Sequence, residues 1–348
     1  MCYFSNGVTR VLRGMPFCAA ACTGALYHIE LYLVVGDVPD LPAGVYHYAA
    51  HDHSLRLLRA GDYRSLLVSA AGEEPHTAEA PVIGALTNTW WRNAWKYQAR
   101  AYRHAFWDAG TVLANLLSVV CANGWPGHVV VAFSDAAVNR LLGVDPVEEA
   151  TLCLVPMGPR SARPGSAPTL EPLNLPTQRL SAQQVEYPEI VQAHTASSLG
   201  SGVDAAAWRA GAPGVQPARA SLSAVDVTGV VGSVERVILR RGSSRRFLRD
   251  AIARDQLQTL LHVATTPIPS DAPRLTQPYL ILNAVDGLAS GSYVYERSTG
   301  GLTLLREGEF RREAAFLDLG QELAGDAAVN VYWLADLAQA GERGYRLG

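Results

Sequence analysis

LPAGVYHYAAHDHSLRLLRAGDYR, residues 41–64, carries two short runs rich in β-formers, Gly44–Tyr48 and Leu55–Leu58, around a polar turn at His51–Ser54. Such runs on either side of a polar turn read as a β-hairpin. The pattern returns as LASGSYVYERSTGGLTLLREGEFR, residues 288–311. An offset of 247 places Leu41 on Leu288, Gly44 on Gly291, Tyr46 on Tyr293, Tyr48 on Tyr295, Arg59 on Arg306, Gly61 on Gly308 and Arg64 on Arg311. It also aligns Tyr32-Leu33 with Tyr279-Leu280, and Arg100–Arg103 is echoed by Arg343–Arg346 after a four-residue slip. A period this long points to a duplicated domain, since solenoid repeats are far shorter. The 348 residues hold about 1.4 such periods. The chain therefore reads as the later part of one unit followed by the earlier part of a second.

Outward from the hairpins, Ile29–Val35 (IELYLVV) reads as a strand. Residues Ala99–Ala122 keep a helical period through Phe106, Ala109, Val112, Leu113, Leu116, Leu117 and Val120, and Asn123-Gly124 supplies the stop. His128–Phe133 and Leu152–Val155 read as short strands around a helix at Asp135–Leu142. Residues 159–232 are dominated by Pro, Ser, Ala, Gly and Gln and read as a linker, with one helix near Ala205–Arg209. Helices follow at Ser233–Arg240 and Asp255–Val263, then a strand at Tyr279–Asn283. The expected architecture is α+β, with a mostly antiparallel sheet flanked by helices, in units 1–158 and 233–348.

Composition narrows the function classes. With 49% apolar and 18% charged residues, the chain reads as a soluble globular protein. A net charge of −3 gives no reason to expect nucleic acid or an anionic membrane as partner. Met1–Arg13 has no apolar core of a signal peptide, and the apolar run Ala109–Ala122 is too short to span a bilayer. The five cysteines have no Cys-x-x-Cys spacing, which argues for reduced thiols and a cytoplasmic setting.

Four constellations carry candidate chemistry. Arg240–Arg249 holds five arginines and two serines, a pattern suited to a phosphate cradle and equally to a solvated basic turn. Ala21–Tyr32 runs from small residues straight into a strand, which lets backbone amides approach a flat ligand; an ordinary tight turn has the same look. Lys96-Tyr97, followed by Arg100 and Arg103, places Lys96, Arg100 and Arg103 on one face of a continuous helix. Lysine and tyrosine can serve as an acid–base pair, and a solvated basic stripe is the plain alternative. His47, His51, Asp52 and His53 offer metal-type donors, but their counterparts Val294, Ser298, Thr299 and Gly300 do not, so no metal site is expected.

Together these fragments resemble the SagB-type dehydrogenases of the nitroreductase superfamily. The phosphate signature is matched by Arg241, Ser243, Arg245 and Phe247. The flavin loop is matched from Ala21 to Tyr32 through Gly24, Ala25, Leu26, Tyr27, Glu30 and Tyr32. A Gly-x-Tyr-x-Tyr hairpin is present as Gly44, Tyr46 and Tyr48, and a Lys-Tyr pair as Lys96 and Tyr97. The resemblance implies a nitroreductase-like fold, here as an incomplete pseudo-dimer, and an FMN-dependent oxidoreductase that turns thiazolines or oxazolines of a peptide into azoles. It further implies that Arg241, Ser243 and Arg245 hold phosphate, that Cys22, Thr23 and Gly24 flank the isoalloxazine, and that Lys96 and Tyr97 handle the proton. A modified-peptide or other small-molecule substrate, a homodimer and other modifying subunits are the implied partners. A non-catalytic scaffold and a general NAD(P)H-dependent nitro or quinone reductase are the alternatives.

The sequence departs from that family in places. Ala21 and Cys22 stand where Pro and Ser are usual, and His28 replaces a Pro. The first unit shows no phosphate run before Ala21. The second has a poor loop at Pro269–Arg274 and places Gln339 and Ala340 opposite Lys96 and Tyr97. The expected arrangement brings the cradle of the second unit to the loop of the first, with Lys96-Tyr97 assignable to a different site.

Overall fold

The computed structural model describes residues 1–173, 175–176, 178–211, 232–336, 338 and 346. Gln339, Ala340 and Arg343–Tyr345 lie outside the described residues. A short helix, α1 (Cys2–Asn6), precedes a hairpin of β1 (Val8–Leu12) and β2 (Met15–Cys18). A 3₁₀ turn at Thr23–Ala25 leads into β3 (Ile29–Val35), β4 (Gly44–Ala49), β5 (Ser54–Ala60), α2 (Arg64–Ala70), α3 (Pro75–Glu79) and β6 (Val82–Thr89). Then come α4 (Trp91–Tyr97), α5 (Ala101–Ala122), α6 (Asp135–Leu142) and β7 (Glu149–Met157). Helices α7 (Pro188–Ser197), α8 (Gly202–Ala210), α9 (Val234–Arg240) and α10 (Arg254–Ala264) follow. The remaining elements are β8 (Thr276–Leu282), β9 (Gly291–Glu296), β10 (Gly301–Glu307), α11 (Arg311–Leu317), α12 (Glu322–Asp326) and β11 (Val329–Ala335).

The strands form two larger antiparallel sheets, ordered β5-β4-β3-β6-β7 and β10-β9-β8-β11. Strands β8, β9 and β10 and helices α11 and α12 occupy the ranges of β3, β4, β5, α2 and α3 moved by the offset that carries Leu41 onto Leu288. Side chains repeat as well: the Tyr46 hydroxyl donates to the Pro42 carbonyl at 2.8 Å, and the Tyr293 hydroxyl to that of Ala289 at 2.7 Å. Both hairpins skip one residue of register at the same place. Gly44 and Gly291 are glycines for one reason: a Cβ would lie 2.8 Å from the Arg59 carbonyl oxygen in the first and 2.5 Å from that of Arg306 in the second.

The first sheet is covered on both faces. Ala101, Ala105, Ala109, Val112, Leu116 and Val120 of α5 pack with Leu31, Leu33 and Leu86. Leu67 of α2 and Leu141 and Leu142 of α6 pack with Tyr32, Val34, Val45 and Ile83. Both faces of β3 are therefore buried, which explains its nearly unbroken apolar sequence. The second sheet has a smaller core of Leu257, Leu261, Leu280, Leu282, Tyr293 and Tyr295.

Two sequence expectations change. The helix expected at Ala99–Ala122 is present as α5, but a continuous helix from near Asn93 is not: it breaks at Gln98, whose φ of 54° lies in the left-handed region, so Lys96 belongs to α4 and Arg103 to α5. The stripe of Lys96, Arg100 and Arg103 thus does not lie on one continuous helix. The stretch Trp91–Ala122 is long and apolar enough to cross a membrane by length and composition, but it is broken at Gln98 and α5 packs its apolar face in the first core. Residues 128–133 form isolated bridges, not a strand, because Val129 pairs with Ser270 and Val130 with Leu154.

Among the described residues, the segment read as a linker carries two helices where composition suggested one, and both lie on the first unit. Ile190 of α7 joins the first core, while Trp208 and Ala205 of α8 bury against Ala132. Arg209 donates to the carbonyls of Ala71, Gly72 and Ala132. Backbone acceptors therefore hold a strap whose composition is poor in apolar residues. The two units meet at 129–132: the Asp271 carboxylate, 6% exposed, accepts from Val131 N at 2.7 Å and Ala132 N at 3.1 Å. Arg346 also reaches this seam, pairing with Asp135 and donating to the carbonyls of Val131, Phe133 and Ser197.

Candidate active site

The loop before β3 is held by one carboxylate. Asp108, in the middle of α5 and 4% exposed, accepts from Thr23 N at 2.8 Å, Thr23 Oγ1 at 3.0 Å and Cys22 Sγ at 3.1 Å. His28 Nε2 lies 2.7 Å from the same carboxylate, and its Nδ1 meets Asn88 Oδ1. Burial opposes the charge of Asp108, but the bonds from His28, Thr23 and Cys22 outweigh it and hold the carboxyl below its ordinary range. Burial and the neighbouring Asp108 push the Cys22 thiol up to about 12, so Cys22 serves as a hydrogen-bond donor and not as a thiolate.

This clamp fixes Gly24 at φ 66°, a conformation that favours glycine. A Cβ on Gly24 would lie 2.8 Å from the Tyr97 hydroxyl and 3.3 Å from Lys96 Nζ. Lys96 and Tyr97 therefore stand against the Cys22–Gly24 loop, not at a separate place as the sequence allowed. Lys96 Nζ is 5.3 Å from the centre of the Tyr97 ring, and that ring packs edge-on against His104 at 4.7 Å. His104 Nδ1 is bonded to Asn93 Oδ1 at 2.9 Å. The Nδ2 groups of Asn88 and Asn93 are buried donors without a partner among the described residues. Arg92 ties α4 to the loop by donating to the Tyr27 carbonyl at 3.0 Å and to Glu30 at 2.7 Å.

The basic run after α9 arrives from far along the chain. Arg241 donates to the Ala19 carbonyl at 3.1 Å and is near enough for its charge to act on the Tyr27 phenol. Arg10 anchors the same run by donating to the carbonyls of Leu239 and Arg241. Ser243 and Arg245 are exposed and make no hydrogen bond or ion pair among the described residues. The corresponding loop of the second unit serves another end, since Asp271 is spent on the seam.

Two groups of metal-type donors occur among the described residues. In Cys22, His28 and Asp108 the thiol holds its proton and the carboxylate is occupied by four contacts, which makes a clamp. In Glu74, His76 and His128 the two rings stack at 4.0 Å with 7° between their planes, so their in-plane lone pairs do not converge on one point. The donors of the first hairpin do not converge: His47 pairs with Glu30, His53 with the Tyr48 hydroxyl, and Asp52 with Arg56 and, at 3.6 Å, His51.

Sequence reasoning missed Asp108, Asn93 and His104. One signal was available for Asp108: a lone carboxylate inside an otherwise apolar helix, which burial tolerates only when it is paired. His28 stood out only as a departure from the family pattern, and its partner explains it.

Comparisons with known proteins bear on the fold and the family. Residues 19–159 match the model of the Nitroreductase family. A nitroreductase-type protein of Methanocaldococcus jannaschii is 28% identical over 135 residues, covering 39% of this chain and 67% of the relative. The trifolitoxin-processing protein TfxB of Rhizobium leguminosarum bv. trifolii is 29% identical over 134 residues, which span 37% of this chain and only 36% of TfxB. The crystal structure of a nitroreductase-type protein from Anabaena variabilis superposes with a TM-score of 0.74 at 24% identity, covering 99% of this chain and 75% of that one, a likeness of fold. The chain has the nitroreductase fold, and its residues 19–159 match the Nitroreductase family model.

Proposed function

We propose that the chain binds FMN between the Cys22–Gly24 loop and the Arg241–Arg245 run, and that it dehydrogenates thiazoline or oxazoline rings in a peptide. The observation that carries this reading is the meeting of Gly24, Lys96 and Tyr97, with Arg241 drawn to the same loop. The residues present fit a flat anionic cofactor. Gly24 is exposed and carries no side chain, with Tyr97 and Lys96 packed where a Cβ would go; the exposed Ser243 and Arg245 stand free to take a phosphate, and the buried Asn88 and Asn93 donors lack partners among the described residues.

When bound, FMN supplies a hydride acceptor. The chain's own residues do the rest. Asp108 keeps the loop in place through Thr23. Lys96 and Tyr97 would form the acid–base pair that takes up the one proton the ring gives up, so that with the hydride the azoline loses two hydrogens and becomes an azole. The likeness to a trifolitoxin-processing protein supports a peptide as substrate.

The test is turnover of an azoline-containing peptide by the FMN-loaded chain, read as the mass loss of two hydrogens. Lys96→Ala and Tyr97→Phe should each slow it by roughly 100-fold while flavin stays bound. Undiminished turnover in both variants rejects the assignment.

A further inference from the structure

The strap formed by residues 178–197 runs beside α4 and the start of α5, and two cavities open between these walls. One, of about 380 Å³, lies between Trp91 and Trp95 on α4 and Leu180 on the strap. The other, of about 390 Å³, lies between Arg100 and Arg103 and the strap residues Glu189 and Ala193. The walls are held apart by fixed contacts: Trp91 Nε1 donates to Ser181 Oγ at 2.6 Å, and the Tyr102 and Ser197 hydroxyls meet at 3.4 Å. In the chain, Lys96 and Tyr97 fall between the residues that line the two cavities, just before the break at Gln98.

The cavities differ in chemistry. The first is aromatic: Trp95 is 54% exposed and Leu180 47%, so a large apolar surface is left open. The second is basic. Arg100 and Arg103 line it, are exposed and form no ion pair among the described residues, although Glu189 lies across the gap. Arg100 keeps its guanidinium over the Trp107 ring at 5.7 Å, so it is positioned rather than free to sweep. Trp95 and Arg100, one from each lining, are five residues apart in the chain, at most roughly 18 Å, which about five residues of extended polypeptide cover.

We infer that this cleft seats an extended acidic segment of polypeptide, with an apolar or aromatic side chain at Trp91–Trp95 and a carboxylate at Arg100–Arg103. The residues between those two anchors lie across Lys96-Tyr97. This rests on the reading of Lys96 and Tyr97 as the reacting end of the site, and it adds what the substrate must carry on either side. Charge complementarity selects the occupant: a basic segment would meet Lys96, Arg100 and Arg103, and a wholly polar one would leave the tryptophans uncovered.

The experiment is fluorescence anisotropy on the full chain with a rhodamine-labelled peptide bearing phenylalanine about five residues before a glutamate pair. The expected result is saturable binding that falls at least tenfold when lysines replace the glutamates, and that weakens as salt rises. The double variant Arg100→Glu/Arg103→Glu should reverse the preference and bind the lysine peptide better. Trp95→Ala should weaken the phenylalanine peptide while leaving an alanine version of it unchanged. Equal binding of the glutamate and lysine peptides, or an unchanged preference after the double charge reversal, overturns the proposal. Flavin content is measured on the same samples. Peptide binding without flavin refutes the FMN reading alone, and retained flavin without peptide binding refutes the cleft alone.

Discussion

Replacing Asp108 by alanine removes four contacts at once, and the structure sets the size of the effect. The carboxylate accepts from Thr23 N, Thr23 Oγ1, Cys22 Sγ and His28, the last fully buried. The buried His28 Nε2 and the part-buried Thr23 N have no other partner among the described residues once it is gone, and an unsatisfied buried donor costs about 1–3 kcal/mol. The hydroxyl and the thiol can turn elsewhere and add little. Asp108→Ala should therefore destabilise the chain by about 3–5 kcal/mol, and Asp108→Asn by about half as much, since one oxygen remains to accept. The assay is equilibrium urea unfolding followed by tryptophan fluorescence, with the midpoint compared at equal slope. The pH dependence adds a second readout. Because the folded-state carboxyl lies below its ordinary range, its contribution is complete above the unfolded pKa near 4 and fades as pH falls through the folded value. The variant should lose that part of the acid sensitivity. A loss below about 1 kcal/mol would refute the clamp, because a buried carboxylate with these partners cannot be so inexpensive to remove.

Gly24→Ala should cost about 1–2 kcal/mol from its left-handed backbone, and the new methyl should push Tyr97 aside; turnover that matches the parent would refute that contact. Asp271→Ala should loosen the seam, costing about 2–4 kcal/mol through the unpaired amides of Val131 and Ala132; hydrogen exchange at those two amides is the readout, and unchanged protection contradicts the prediction. His128 is held down to about 4 by burial and then by the charge of His76. Its folded value lies below the unfolded one near 6.5, so it withdraws stability as pH falls from about 6.5 to 4. His128→Phe keeps a ring on His76 and should flatten that stretch of the stability–pH curve; an unaltered slope contradicts the assignment.

What could be read from sequence was local. The hairpins, helix α6 and strand β3 follow from periods of two or 3.6 residues and from turn residues, and each falls within a residue or two of its expected place. The repeat was legible because Gly44 and Gly291, with Tyr46 and Tyr293, serve identical local geometry. The break at Gln98 was not, because nothing in Lys-Tyr-Gln-Ala-Arg marks a left-handed residue. Strand β6 escaped because Val82–Thr89 has a glycine inside and both faces buried, which removes the alternation. The strap looked like a linker because it is held through backbone carbonyls and a few large side chains such as Trp208, and composition records neither. The site was legible in parts. The motif residues could be named, but that Lys96 and Tyr97 stand on Gly24 is a contact across more than seventy residues of chain. Asp108, which holds the loop, lay in no motif.

The central claim is that the loop of the first unit and the arginine run after α9 make one flavin site. The most direct measurement is the FMN retained by the full chain after saturation and desalting, read from its visible absorbance, beside the double variant Arg241→Ala/Arg245→Ala. The account predicts about one FMN per chain in the parent and little in the variant at unchanged thermal stability. No retained flavin in the parent, or equal retention in both proteins, would contradict it.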